Sequence, residues 1–309
     1  MKYSVVIPAY NESEVLPISY PRIKKVMDAL KSYELIFVDD GSRDDTLQLL
    51  KDIAKKDKTV KVLSFSRNFG HQEAVTAGMA AASGSAVIII DADLQDPPEV
   101  IPEMVEKWQA GADIVYGLRT RRKNESVFKR LTAWVYYKIL GRLGGQFIPA
   151  NTGDFRLIDR KVCDTLGAMP ERNRFLRGMA AWSGFTAQPV EYVREGRAAG
   201  KTKYSMRKMM KLAGDGVTSF SNKPLRLPLY IGLLTAVASF VYFVLAIVFA
   251  ATGAWGYTHI LFSLLFGLVS VLFISLGIFG LYLGRVYDEA KSRPVYIISE
   301  KINFDPEEL

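Results

Sequence analysis

The sequence predicts an α/β domain built on a mostly parallel sheet, followed by two transmembrane helices. Three observations carry that expectation. Short β-branched runs alternate with segments of helical period through the first 117 residues, and such alternation gives parallel sheets covered on both faces. No Asp, Glu, Lys or Arg occurs from Leu227 to Gly284, a stretch long enough for two crossings of a hydrocarbon core about 30 Å thick. Carboxylates gather where the apolar runs end, as in "VIIIDADLQDPPEV" from Val87 to Val100, where Asp91, Asp93 and Asp96 follow a run fit for a buried strand.

The elements follow in order. "YSVVIP" reads as a strand and leads to a helix ending near Lys31; "ELIFVDD" precedes the helix "DTLQLLKDIAKK". "VKVLSFS" precedes "HQEAVTAGMAAA", "AVIIID" precedes "PEVIPEMVEKWQ", and "ADIVYG" is the fifth strand. Past Gly117 the alternation stops. In residues 126–144, Phe128, Leu131, Trp134, Val135 and Ile139 form a helical stripe with Lys129, Arg130, Lys138 and Arg142 at its margins. That is the composition of a helix lying in a bilayer interface; a core-packed helix is the alternative. Residues 203–223, with "KYSMRKMMKLAGDGV", read as a basic amphipathic approach to the membrane. The spans are 227–251 and 258–283, joined through "TGAWGYT", and "RPVYIISEKI" beyond them is a strand. Three regions result: a domain at 1–225, a helical hairpin at 226–284 and a tail at 285–309.

Composition agrees. The chain of 309 residues, 49% apolar and 23% charged, supports a sizeable core. Lys and Arg crowd both outer flanks of the hairpin (Arg207, Lys208, Lys211, Lys223 and Arg226 before it; Arg285, Lys291 and Arg293 after it), and the connecting loop carries none. Both termini and the sheet domain are therefore expected on the cytoplasmic side of a bacterial inner or plasma membrane. "MKYSVVIPAY" lacks the apolar core and cleavage site of a signal peptide. A single cysteine, Cys163, suits a reducing compartment. The net charge of +8 points to an anionic surface or substrate; because the basic residues cluster beside the spans, the lipid bilayer is the expected partner and nucleic acid is not.

Ligands of such sheets bind beyond the carboxyl ends of the strands. Side chains alternate along a strand, so Asp91 and Asp93 face one side of a tip. Two hard oxygen ligands so close suit Mg²⁺ or Mn²⁺, which commonly takes one or two carboxylates and leaves its other positions to substrate phosphates and water. For Asp96 the alternative is a helix N-cap, since Pro97 and Pro98 fit a first turn. The second strand ends in Asp39-Asp40-Gly41-Ser42 and the first in Pro8-Ala9-Tyr10-Asn11-Glu12. "DDGS" alone reads as a turn capping the next helix. Three acid-bearing tips together let a nucleotide lie across them, with Asp40 accepting from a base N–H, Glu12 or Tyr10 near base and ribose, and a metal on the diphosphate.

"VVIPAYNES", "FVDDGSRDDT" and "DADLQDPPE", with two carboxy-terminal spans, resemble glycosyltransferase family 2 of the GT-A fold, and within it the polyisoprenyl-phosphate glycosyltransferases. "LQDPPE" is similar to the bactoprenol glucosyltransferases in particular. The resemblance covers nearly the whole chain. It implies inverting transfer of a sugar, first glucose from UDP-glucose, with GDP-mannose or a UDP-aminoarabinose derivative as alternatives, to undecaprenyl or another polyprenyl phosphate. It implies Asp91 and Asp93 as the metal-binding DxD motif with Gln95 beside the metal, and Pro8, Ala9, Tyr10, Glu12 and Asp40 around the nucleoside. Asp154, in "NTGDFR", looks like the acidic residue of the acceptor side, where it orients the acceptor phosphate or takes its proton.

Arg119, Arg130 and Arg156 are candidates for the acceptor phosphate, because an Arg fork matches phosphate geometry. "REGRAAGKTKY" reads as a flexible basic loop whose Arg194, Arg197, Lys201 and Lys203 close on phosphates. Its "GRAAGKT" has three residues between the glycines where a P-loop needs four. His71 and His259 read as bystanders, and Cys163 has no evident partner for nucleophilic work. A homo-oligomer is expected. A processive polysaccharide synthase is a rival reading, but no Gln here begins the Gln-x-x-Arg-Trp motif of those enzymes. A non-enzymatic, nucleotide-binding membrane protein is the rival of another class.

Overall fold

The computed structural model describes residues 2–121, 152–194, 234 and 257–304. Over these the order is β1 (Tyr3–Ala9), α1 (Leu16–Leu30), β2 (Tyr33–Asp39), α2 (Thr46–Lys56), β3 (Val60–Phe65), α3 (His71–Ala81), β4 (Ala86–Ile89), a short 3₁₀ turn, α4 (Ile101–Gln109) and β5 (Ile114–Arg121). Then come β6 (Thr152–Asp159), α5 (Arg160–Ala168), α6 (Leu176–Trp182), β7 (Ala187–Val193), α7 (Tyr257–Ala290) and β8 (Ile298–Ile302). The nine elements expected up to Gly117 are all present, near their expected bounds.

The strands form one sheet of eight in the order β7-β5-β6-β4-β1-β2-β3-β8. β1 pairs in parallel with β2 and β4, β2 with β3, and β5 with β7. Only β6 and β8 run against the others. The central strands are apolar on both faces, as a sheet covered on both sides requires. Period-two alternation sends Val5, Ile7, Leu35 and Phe37 into one layer with Leu16, Ile23 and Met27 of α1, Leu50 of α2 and Met104 of α4. Val6, Ile36, Val38 and Leu63 enter the other with Val75 and Met79 of α3, Val162 of α5 and Met179 of α6.

β6 is what the sequence reading did not anticipate. "TGDFRLID" carries Asp154 and Arg156 inside the strand and so breaks the apolar pattern. It inserts antiparallel between β4 and β5, which would otherwise be neighbours. The strand expected after the spans is β8, antiparallel to β3. Tyr296 stacks on Phe65 at 5.2 Å, and Asn303 Nδ2 donates to the carbonyls of Ala54 and Val60, so the tail completes the sheet edge.

Residues 126–144, 203–223 and, apart from Leu234, the first expected span at 227–251 lie outside the described residues. The second coincides with α7, a 34-residue helix whose side chains are described only in part. Counted over the described residues, no helix is long and apolar enough to cross a membrane.

At the sheet edge opposite the acidic tips, Glu34 is 1% exposed. Its Oε1 accepts from Ser4 Oγ at 2.5 Å, Ser83 N at 2.7 Å and Ser83 Oγ at 2.8 Å, and Lys61 Nζ lies 3.0 Å from Oε2. Burial raises the carboxyl's pKa, but these donors outweigh it and hold Glu34 below its ordinary value. The stabilisation is therefore fully present above the ordinary glutamate pKa of about 4.3 and is lost as pH falls through the lowered one. Glu34→Gln is expected to cost about 3 kcal/mol at neutral pH, since it leaves Lys61 buried without its counter-charge, and to flatten the fall in melting temperature below about pH 4. Thermal unfolding of the detergent-solubilised protein from pH 3 to 7 checks both; an unchanged slope sinks the assignment.

Candidate active site

The carboxyl ends of β1, β2 and β4 meet at one edge, and backbone bonds tie the first two tips together. Asn11 N donates to Ser42 Oγ at 2.9 Å, Arg43 N to Asn11 Oδ1 at 2.8 Å and Glu12 N to Thr46 Oγ1 at 2.8 Å. Pro8 and Ala9 are buried in β1, and Tyr10 and Glu12 are half-buried beyond it. Asp39 serves the turn, accepting from Ser42 N and Ser64 Oγ. Asp40 takes Asn68 Nδ2 at 2.8 Å, Phe69 N at 2.7 Å and Gly70 N at 3.1 Å, so its carboxylate anchors the loop that opens α3. Gly41, at φ +64°, lets this loop close: a Cβ there would stand 2.4 Å from the Arg67 carbonyl carbon.

Beyond β4, exposure alternates. Asp91, Asp93 and Gln95 are half-buried, and Ala92, Leu94 and Asp96 are buried. The three expected metal-side residues are thus the more exposed ones of a turn that follows β4. Leu94 holds φ +56° while buried, a left-handed conformation costly for a branched residue and of the kind that clusters at functional sites.

Facing them is Asp154. The antiparallel register pairs Ile89 with Arg156, and continuing it two residues past β4 sets Asp91 opposite Asp154. His71, the first residue of α3, fills the gap: its Nε2 lies 3.6 Å from Asp91 Oδ1 and 3.4 Å from Asp154 Oδ2. The expectation that His71 is a bystander is therefore corrected. Burial disfavours the imidazolium, but the two carboxylates outweigh it and push His71 up to about 9. Arg177, on α6, grips Asp154 from the far side, Nε to Oδ1 at 2.8 Å and Nη2 to Oδ2 at 3.1 Å, while its Nη1 donates to Thr152 O at 3.2 Å. Although burial opposes ionisation, Arg177 and His71 hold Asp154 well below the usual carboxylate range. Asp91 moves the other way. Burial and the neighbouring carboxylates lift it to about 6 against the pull of His71, and its Oδ1 is buried without a hydrogen bond.

A second cluster surrounds Asp96, 1% exposed. Arg119 Nη2 donates to Asp96 Oδ2 at 3.2 Å and Arg119 Nε to Tyr192 Oη at 3.0 Å, while the Tyr192 hydroxyl donates to Asp96 Oδ1. Arg194 Nε stands 3.7 Å from the same oxygen. Asp96 is thus no N-cap; no side chain caps the 3₁₀ turn that follows it. The guanidinium of Arg119 is held by Asp96 and Tyr192. A Cβ at Gly153 would come 2.3 Å from Arg119 Nη2, so any larger residue there would shift the guanidinium. Arg156 is 5% exposed, donates to the carbonyls of Gly153 and Asp154, and is lowered to about 10 by burial.

Arg130, Arg197, Lys201 and Lys203 lie outside the described residues. Burial pushes the Cys163 thiol up to about 11, in keeping with its expected inertness. His71 had a legible signal, since it follows the third strand's tip and opens a helix. Arg177 had none, because β6 and α6 were not read.

Among the described residues no group of three or more His, Cys, Asp or Glu converges to hold a metal ion. Asp91 and Asp93, with Gln95 in the same turn, nevertheless fit a divalent cation that takes its other ligands from phosphate and water, and the orphaned, buried Asp91 Oδ1 is the observation that favours one.

Sheet, strand-tip carboxylates and the facing Asp154 together define an α/β transferase domain of GT-A-like architecture. The chain belongs to glycosyl transferase family 2, whose model matches residues 4–167. It is 47% identical over 100% of its length to an uncharacterized glycosyltransferase of Bacillus subtilis (strain 168), covering 97% of that protein. To the bactoprenol glucosyl transferase of Shigella phage SfX it is 44% identical, covering 97% of this chain and 100% of the relative. Glucosyl-3-phosphoglycerate synthase from Mycobacterium tuberculosis, solved with UDP, superposes with a TM-score of 0.49 at 23% identity, covering 69% of this chain and 76% of that one.

Because Asp96 neutralises Arg119 in a buried setting, Asp96→Asn is expected to destabilise the protein by about 3 kcal/mol. Thermal unfolding in detergent measures it, and a loss below about 1 kcal/mol would place the pair among weakly coupled surface charges.

Proposed function

We propose that the protein is a metal-dependent, inverting glucosyltransferase that moves glucose from UDP-glucose to undecaprenyl phosphate at the cytoplasmic face of a bacterial membrane. The observation that carries this reading is the approach of Asp91, at the strand tip that also bears Asp93, to Asp154 of β6, with His71 Nε2 3.6 Å from the one and 3.4 Å from the other. Similarity over nearly the full length of bactoprenol glucosyl transferases supports the acceptor class and the sugar.

Asp91, Asp93 and Gln95 would hold Mg²⁺ or Mn²⁺, which supplies charge neutralisation for the departing diphosphate. The acceptor is a phosphate monoester with a second pKa of about 6, by analogy with phosphorylated side chains, so it arrives largely as a dianion and needs no base. Its oxygen attacks the anomeric carbon as the bond from that carbon to the diphosphate oxygen breaks, and UDP departs. Asp154, held ionised by Arg177 and His71, suits orientation rather than proton abstraction. The cations at 194–203 are suited to close over the phosphates.

The membrane reading rests on charge asymmetry and on α7, where Leu272, Ile274, Leu276, Phe279, Leu281 and Leu283 are all exposed. A helix apolar all round needs an apolar surrounding. The expected homo-oligomer belongs to the same reading and is checked by light scattering in detergent.

Purified protein given radiolabelled UDP-glucose, GDP-mannose and a UDP-aminoarabinose derivative with undecaprenyl phosphate should label lipid from UDP-glucose, and only with Mg²⁺ or Mn²⁺ present. Asp93→Ala should abolish that transfer and leave the circular dichroism unchanged. Near-native turnover of this variant in Mg²⁺ would overturn the metal assignment, and UDP-glucose binding without lipid labelling would favour a non-enzymatic nucleotide sensor. Proteases added to the outside of intact cells should leave residues 1–225 uncut; cleavage there would reverse the topology.

A further inference from the structure

Three elements converge at Asp154, and two of the residues joining them, Gln72 and Arg177, belong to no motif read in the sequence. β6 supplies Asp154, α3 supplies His71 and Gln72, and α6 supplies Arg177. Gln72 Oε1 accepts from Leu176 N at 3.1 Å, so the first turn of α3 holds the first turn of α6. The loop before α6 is fixed at its other end, where Arg172 N donates to Glu289 Oε1 of α7 at 2.8 Å. Arg177 leaves this braced helix and meets Asp154 through two parallel N–H···O bonds, with a third N–H on the Thr152 carbonyl.

We propose that Arg177 is a positioning residue for the transfer: it fixes the Asp154 carboxylate in the plane and rotamer that set His71 beside Asp91. The geometry separates this role from phosphate binding. Three guanidinium N–H groups of Arg177 are spent on β6, and a bidentate pair fixes both the position and the plane of a carboxylate, which a point charge does not. Asp154 Oδ2, which takes Arg177 Nη2 at 3.1 Å, is also the oxygen 3.4 Å from His71 Nε2, so a turn of the carboxylate would move the imidazole. His71 in turn lies 3.6 Å from Asp91 Oδ1. The chain Arg177–Asp154–His71–Asp91 therefore joins α6 to the strand tip assigned to the donor. This inference rests on the glucosyl-transfer reading.

The test compares wild type, Arg177→Ala, Arg177→Lys, Asp154→Asn and the double variant in full-length, detergent-purified protein, with UDP-glucose, undecaprenyl phosphate and Mg²⁺. Arg177→Ala is expected to lower kcat about 100-fold, the scale of a lost orienting contact, with KM for UDP-glucose within about threefold of wild type. Added guanidinium should restore at least about tenfold of that loss, and Lys, which lacks the fork, should recover less. In the Asp154→Asn background, removing Arg177 should cost less than about threefold more, because the two act as one unit. A kcat within about threefold of wild type, an additive double variant, or loss of UDP-glucose binding with no rescue by guanidinium each overturns the proposal. A wild type that transfers glucose to no polyprenyl phosphate sinks the functional reading, and this inference with it.

Discussion

Everything at the strand-end face depends on one antiparallel strand. β6 lies between β4 and β5 and runs against both, so its beginning meets their ends. A parallel strand in that place would put its own tip beside Asp91 and carry Asp154 and Arg156 away from the edge. The observed pairing of Ile89 with Arg156, carried two residues further, brings Asp154 opposite Asp91 instead. Two carboxylates held so near cannot both stay charged and half-buried without compensation. His71 between them, Arg177 behind Asp154 and Arg156 beside it supply that compensation.

The compensation is unequal, and the inequality separates the two acids by role. Asp154 receives a bidentate arginine and a histidine and remains ionised. Asp91 has only the histidine, beyond hydrogen-bond range, so one buried oxygen is left without a donor and its affinity for a proton rises. On the proposed reading, the acid left short of positive charge takes a cation from outside, and the one already satisfied holds its neighbours in place.

Much of this was legible in the residues. The parallel core could be read because each strand is apolar on both faces and each helix follows its strand, and the acids of "DADLQ" could be read as tip residues because they directly follow an apolar run. The face of Asp154 could not be read. "TGDFRLID" lacks the continuous apolar run of the other central strands, since Asp154 and Arg156 alternate with Phe155 and Leu157, and its direction in the sheet depends on pairings with β4 and β5 that lie far from it in sequence. Arg177 belongs to a helix of seven residues, too short to announce itself by periodicity. The N-cap alternative for Asp96 fails because its partner Arg119 comes from β5, far from it in sequence, where the proline pair beside it had matched a helix start.

The Asp96 cluster completes the argument, because it lies where the described sheet passes into the basic loop. Arg194 ends the described part of that strand–loop junction, and its Nε is buried 3.7 Å from an oxygen already shared with Tyr192. Arg119 and Arg194 thus compete for one carboxylate, and Arg119 holds the better geometry. Of the two, Arg194 needs the smaller loss of bonding to turn toward a phosphate, while Arg119 would have to abandon a buried ion pair, a change of several kcal/mol. The two arginines are therefore divided by the fold, Arg119 locked in a buried ion pair with Asp96 and Arg194 held near it more loosely.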